Sequence, residues 1–357
     1  LAVTALLLVV VAVLQSITLQ WYALTPGSAT PLSRSMTISG AAQDKPNNSI
    51  SMVDVWVQQL TAWEWLTMHL RSHVEFLPAS WMVDPGVPAS ELDNQGYIDM
   101  DISKQQAAVA ALRQIGWTVP RHPRGVQAYS VVVPSPAHRA HLGVGDVVTS
   151  VDGARVTSTC QLISSVAKAP VGSTLTFHVE KAHYSHAGAV TWPHSANVTV
   201  RTIARPAHSA PSGCSDVTKA DRSWIGLSVQ NVYLYAMPVT ISVKTDQVGG
   251  PSSGLAMTLT ALDRLTKGSL TGGLKIAATG TMDENGNVGE IGGLAEKAPA
   301  VAASGATVFY VPASQVKEAR ANAPASLRVV GVKTLAQVLA DLRAHGGDRP
   351  VPLTAPR

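Results

Sequence analysis

No histidine and no cysteine occurs between Trp224 and Ala344. That absence removes both the imidazole base of a serine triad and a thiolate nucleophile from the stretch. Nucleophilic chemistry there needs a hydroxyl and some other base. Cysteine is scarce throughout, Cys160 and Cys214 being the only two in 357 residues, and they form no zinc pattern. His183, His186 and His194 lie loosely in a glycine- and proline-bearing stretch that reads as a polar hairpin loop, so no metal is assigned. Charged residues make up 14% of the chain with a net of +4, which gives no basic patch that would call for nucleic acid. A Gly-x-x-x-x-Gly-Lys-Ser/Thr phosphate loop is missing from these residues, so they carry no ATPase of that type and no cofactor is assigned.

Residues 1–33 contain no charged side chain, and Leu1 to Leu14 are almost wholly apolar. Ile17 to Leu24 continue the run with Trp21 and Tyr22. About 20 such residues rise about 30 Å as a helix, enough to cross a bilayer with the aromatic pair at an interface. Residues 1–24 therefore read as a transmembrane anchor, a cleaved secretion signal being the alternative. Residues 25–120 read as a membrane-proximal region, with a strand at Val53–Val57, tryptophans 63, 65 and 81 packing a small core, and a helix over Ser103–Ile115. In an oxidising compartment Cys160 and Cys214 can close a loop worth about 4 kcal/mol; otherwise they are two free thiols. Asn47-Asn48-Ser49 and Asn197-Val198-Thr199 fit the glycosylation pattern.

Two glycine-framed turns dominate the last third: Gly249-Gly250-Pro251-Ser252-Ser253-Gly254 and Gly292-Gly293-Leu294-Ala295-Glu296-Lys297. After Pro251, Leu255, Leu259, Leu262 and Leu265 recur at helical spacing until Gly268, which puts Ser252 at a helix N-terminus where free amides suit an oxyanion. Lysine is a base that can replace histidine. Its pKa, about 10.4 in water, must be brought toward neutrality by burial, a change worth about 4 kcal/mol. Ile291, Leu294, Ala298, Ala300 and Val301 supply apolar neighbours for Lys297. An ordinary N-cap turn and a solvated lysine remain the plain alternative.

From about Trp224 to Gly331 the chain resembles the proteolytic domain of the Lon family, on the turns GGPSSGLAM and IGGLAEKAPA and the intervening KIAATGTMDENGNVGEIGG. The resemblance implies Ser252 as nucleophile, Lys297 as general base and Thr279 as the hydroxyl that orients the lysine. Gly250 and Ser253 would lend backbone amides to the oxyanion. Gly249 and Thr281 stand at positions usually acidic in that family.

A second segment, GVQAYSVVVPSPAHRAHLGVGDVVTSVDGARVTS, is similar to bacterial PDZ domains. The resemblance implies a peptide added as a strand beside the helix Cys160–Lys168, with Gly125, Val126, Gln127 and Ala128 as the receiving loop. A role as spacer or oligomer contact is the alternative. Residues 206–222, rich in Pro, Ser and Ala, read as a linker.

The expected fold class is α/β (α+β): an anchor at 1–24, a PDZ domain at 121–205, a Lon-like proteolytic domain at 223–345 and a disordered tail at 346–357. That order resembles the membrane-anchored PDZ-containing Lon-like peptidases of bacteria. The resemblance implies an ATP-independent serine endopeptidase, single-pass in the cell membrane with its soluble domains extracytoplasmic. Protein or peptide substrates and a homo-oligomer are its implied partners. The alternative is an inactive membrane-tethered PDZ scaffold.

Overall fold

The structure, a computed structural model, describes residues 2–44, 49–83, 86–207, 213–218 and 220–353. Its largest sheet has six strands in the order Arg328–Val332, Val308–Pro312, Ile276–Ala278, Ile50–Thr61, Thr18–Pro31, Glu75–Pro78. The first four neighbours run parallel and the last two pairings are antiparallel. Half of this sheet thus comes from residues read as anchor and membrane-proximal region.

Two corrections follow for the N-terminus. The apolar helix spans only Ala2–Ser16, and among the described residues no helix is long and apolar enough to cross a membrane. Thr18–Pro31 is a strand in which Tyr22, Ala23 and Leu24 are buried. The reason is tertiary: β-branched and aromatic residues after Ser16 find Ile50–Thr61 on one edge and Glu75–Pro78 on the other. Likewise Trp65 and Trp81 do not pack a core, being 39% and 76% exposed, while Trp63 is half-buried.

Period-two alternation gives the sheet two buried faces. Ile50, Met52, Ile276, Ala278 and Tyr310 face the helices Leu92–Gln114 and Gly254–Leu265. Val53, Ala277, Phe309 and Val311 face the helix Leu294–Ala303. The site therefore forms where helices from opposite faces meet at one end of the short strand Ile276–Ala278.

The PDZ-like unit is an insertion between the halves of this fold. Its sheet runs Leu227–Tyr235, Arg121–Val131, Val147–Val151, Thr174–Tyr184, Val190–Arg201. The boundary read at 205 and 223 does not hold, because Leu227–Tyr235 pairs with Arg121–Val131 along its length. The turn at Asp152-Gly153 has φ of 48° and 81°, the left-handed pair a tight hairpin requires. The stretch read as a linker is tied down: Ile203–Ala204 pairs with Ser223–Trp224, and Cys160 and Cys214 form a disulfide. The tail is ordered as far as Leu353, where Lys267 donates to the Val351 carbonyl at 3.0 Å and Leu353 to that of Leu265 at 3.1 Å. Asn47, Asn48, residues 208–212 of the linker and 354–357 of the tail lie outside the described residues.

Candidate active site

The helix Gly254–Leu265 begins two residues after Ser252. Its apolar positions, Leu255, Leu259, Leu262 and Leu265, are all buried, each worth about 1.5–3 kcal/mol. The preceding turn needs its glycines. Gly250 has φ of 86°, and a Cβ on Gly249 would stand 3.0 Å from the backbone carbon of Gly96. Ser252 is partly exposed, whereas Ser253 is buried at 2%, so Ser252 is the hydroxyl open to a substrate. The Gly250 amide, expected to serve an oxyanion, is instead bonded to the Gly96 carbonyl at 2.7 Å, whereas the amides of Ser252 and Ser253 donate to no acceptor among the described residues, which leaves two N–H groups at the helix start.

Lys297 comes from the other side of the sheet. Its helix opens at Gly293 with φ of 65°, where a Cβ would meet Val55 and Leu24 side chains at 3.1 and 3.2 Å. The ammonium group is enclosed, with Lys297 2% exposed. Burial brings its pKa down to about 8, against the opposing pull of the Asp54 and Glu296 carboxylates. Glu296 is itself buried, and burial pushes its carboxyl up to about 7.

Thr279 links the two elements. Its hydroxyl donates to the Ser252 carbonyl at 3.2 Å and accepts from Lys297 Nζ at 3.4 Å. The neighbouring Gly280 amide donates to the same Ser252 carbonyl at 2.8 Å. The structure thus brings Ser252, Thr279 and Lys297 together around one threonine. Among the described residues the lysine bonds this threonine rather than the Ser252 hydroxyl, an arrangement that leaves room for a substrate to tighten the contact.

Several contributors escape a reading by motif. Asp54 interrupts the apolar run Met52-Val53-Asp54-Val55 and accepts from Ser28 N at 2.6 Å and Ser28 Oγ at 3.1 Å. A carboxylate inside a buried strand was the available signal. Gly96 and Ser103, on the helix Leu92–Gln114, bond the nucleophile turn: the Gly96 carbonyl accepts from Gly250 N at 2.7 Å, and Ser103 Oγ donates to the Pro251 carbonyl at 3.0 Å. Nothing local marks them.

The receiving loop for a peptide needs correction. Gly125, Val126, Gln127 and Ala128 lie in a central strand, paired with Leu227–Tyr235 on one edge and Val147–Val151 on the other. They have no free edge to offer. Among the described residues the outer strands of that sheet are Val190–Arg201 and, next to Arg121–Val131, Leu227–Tyr235. The helix Thr159–Lys168 runs beside the latter, with Thr159 N donating to Asn231 Oδ1 at 2.8 Å. Cys214 is bonded to Cys160 on the same helix, and Asp216 pairs with Lys168 at 3.3 Å. A cavity of about 520 Å³ between Arg139, Val171 and Arg201 includes none of these site residues; an extended peptide added to a strand edge needs no enclosed cavity. Among the described residues no three His, Cys, Asp or Glu side chains are grouped to hold a metal.

Comparison with known proteins assigns both units. Residues 113–187 match the family described as PDZ domain, and residues 235–344 match the Lon protease (S16) C-terminal proteolytic domain. No curated protein matches the chain. Solved structures similar to it include the PDZ domain of an SdrC-like protein from Listeria monocytogenes, at 21% identity over 29% of this chain and 86% of that one, with a TM-score of 0.21. The corresponding domain from Listeria innocua matches at 21% identity over 29% and 92%, with the same TM-score of 0.21. The chain thus carries a PDZ domain and a Lon-type proteolytic domain, which supports a Lon-like serine peptidase.

Proposed function

We propose that the chain is an ATP-independent serine endopeptidase working through a Ser252–Lys297 dyad. Neutral Lys297 takes the Ser252 proton as the hydroxyl oxygen attacks a peptide carbonyl. The amides at Ser252 and Ser253, in the turn that Gly250 shapes, receive the oxyanion. Lys297 then returns the proton to the leaving amine, and water repeats the cycle on the acyl-enzyme. Thr279 is a positioning residue that holds the lysine against the nucleophile turn. The observation that carries this reading is a lysine 2% exposed, with its pKa brought to about 8, bonded to a threonine that also holds the Ser252 carbonyl.

The PDZ domain takes an unfolded or C-terminal peptide segment along the outer edge of Leu227–Tyr235, with Thr159–Lys168 as the facing wall. Membrane association is part of the same reading. The helix Ala2–Ser16 buries none of its residues, and Trp56, Trp65 and Trp81 expose rings suited to a headgroup layer. Co-sedimentation with lipid vesicles tests that part, and a Trp56→Ser/Trp81→Ser variant is expected to sediment less.

The decisive experiment is intact mass after exposure to a peptide β-lactone. A single adduct that vanishes in Ser252→Ala and in Lys297→Ala supports the dyad. No adduct in the folded wild type overturns it in favour of an inactive peptide-binding scaffold.

A further inference from the structure

The helix Leu92–Gln114 belongs to two cores. Met100, Ala107, Val109, Ala110, Ala111 and Leu112 are buried in the proteolytic core beside Leu255, Met257 and Leu259. Ile98 is buried in the PDZ core, where its Cδ1 would lie 3.1 Å from a Cβ on Gly145. Polar contacts repeat this division. Toward the PDZ domain, Gln95 Nε2 donates to the Tyr129 carbonyl and the Tyr129 hydroxyl donates to Asp99, both at 3.1 Å. Toward the nucleophile, Gly96 accepts from Gly250 and Ser103 donates to Pro251. Gln95, Gly96, Asp99 and Ser103 are spaced at helical intervals of one, three and four residues, so both sets of bonds hang on two turns of a single helix.

We propose that this helix is a positioning element for Ser252: Gly96 and Ser103 hold the nucleophile turn, and Tyr129 of the PDZ domain sets the helix that carries them. The inference rests on the reading of Ser252 as nucleophile. Tyr129 lies on Arg121–Val131, the strand directly paired with the outer strand Leu227–Tyr235. A peptide that adds to that edge therefore adjoins, through one paired strand, the side chain that fixes the helix. The far end is fastened as well, since Arg113 meets Glu284 at 3.3 Å in the hairpin between Thr279 and Lys297. Ser103 is 2% exposed, and a Cβ on Gly254 would come within 3.1 Å of its oxygen and 2.8 Å of the Met282 amide. The packing leaves the turn little freedom to shift without the helix.

The test uses the full chain and two readouts. Amide exchange of the segment 249–257 reports the turn whether or not the protein reacts. Acylation by the peptide β-lactone, resolved into a maximal rate and a half-saturation concentration, reports chemistry. Tyr129→Phe deletes one hydroxyl far from the reacting atoms. It is expected to speed exchange of that segment by about fivefold or more and to lower the maximal acylation rate by a similar factor, with half-saturation within about twofold of wild type. Ser103→Ala is expected to do the same. The double variant is expected to be no worse than the more impaired single variant, because both act through one helix. Wild-type exchange and acylation in Tyr129→Phe overturn the proposal, as do losses that simply multiply in the double variant. Should Ser103→Ala not fold, Tyr129→Phe with Gln95→Ala decides by the same two readouts. A folded wild type that never acylates sinks the dyad reading, and exchange then decides the role of the helix alone.

Discussion

Burial of Lys297 comes at a cost to the fold. Its pKa in the unfolded chain is about 10.5 and burial lowers it to about 8. The folded state therefore prefers the uncharged amine. The associated stability is present above the unfolded value and is lost as pH falls through about 10.5 toward 8. At pH 7 the full penalty applies, about 3 kcal/mol. Lys297→Met, which keeps an apolar chain of similar reach, is expected to raise the melting temperature at pH 7, to lose that advantage near pH 10.5, and to form no lactone adduct; calorimetry at both pH values with intact mass checks all three. The same lowered pKa sets the rate profile. Acylation of Ser252 should rise with pH and level off above about 8, and a plateau extending down to pH 6 would remove lysine as the base. The two turns that meet at Thr279 were legible in the sequence because they carry distinctive glycines, and the proposed pairing of Ser252 with Lys297 follows from them because no histidine competes. Asp54 and Ser103 were not, since their partners lie in Ser28 and Pro251, far along the chain.

At the level of elements, glycine at the lysine helix start is a packing requirement as much as a conformational one. Gly293 combines a left-handed φ of 65° with side chains of Val55 and Leu24 within 3.1 and 3.2 Å of where a Cβ would lie. Gly293→Ala is expected to destabilise by about 1–3 kcal/mol and, by rotating the helix that carries Lys297, to cut acylation more than tenfold; denaturant melts and adduct kinetics read the two effects separately. The elements around the site were readable from local pattern. Gly254–Leu265 stands where the leucine spacing before Gly268 puts a helix. The N-terminal run misled for an equally physical reason. Apolar residues continue without charge from helix into strand, and composition alone does not report that Ile17 is the joint. Its carbonyl accepts from Ala62 N at 2.9 Å, a contact made only when the second strand returns. The PDZ domain misled in the same way, because its strand Leu227–Tyr235 comes about forty residues after the matched segment ends rather than beside the motif that identifies the domain.

For the whole molecule, the proteolytic fold is split by the PDZ domain and cannot be cut at the boundary that composition indicates. A fragment 223–345 would carry Ile276–Ala278, Val308–Pro312 and Arg328–Val332, and would leave Ile276–Ala278 as a bare edge without Ile50–Thr61. It would also strip Val109, Ala111 and Leu112 from the buried face shared with Leu255, Leu259 and Leu262. Exposing Leu255, Leu259 and Leu262 forfeits about 1.5–3 kcal/mol each, about 5–9 kcal/mol together, a loss of the same order as the roughly 5–15 kcal/mol that a domain has in total. The fragment is therefore expected to lack a cooperative thermal transition and to show a collapsed amide spectrum, whereas 17–353 is expected to melt cooperatively and react at Ser252. A well-dispersed spectrum from 223–345 would mean that the N-terminal strands decorate a self-sufficient core. The helix Leu92–Gln114 would then be a passenger on the proteolytic domain, and its bonds to Gly250 and Pro251 would have no hold on the nucleophile.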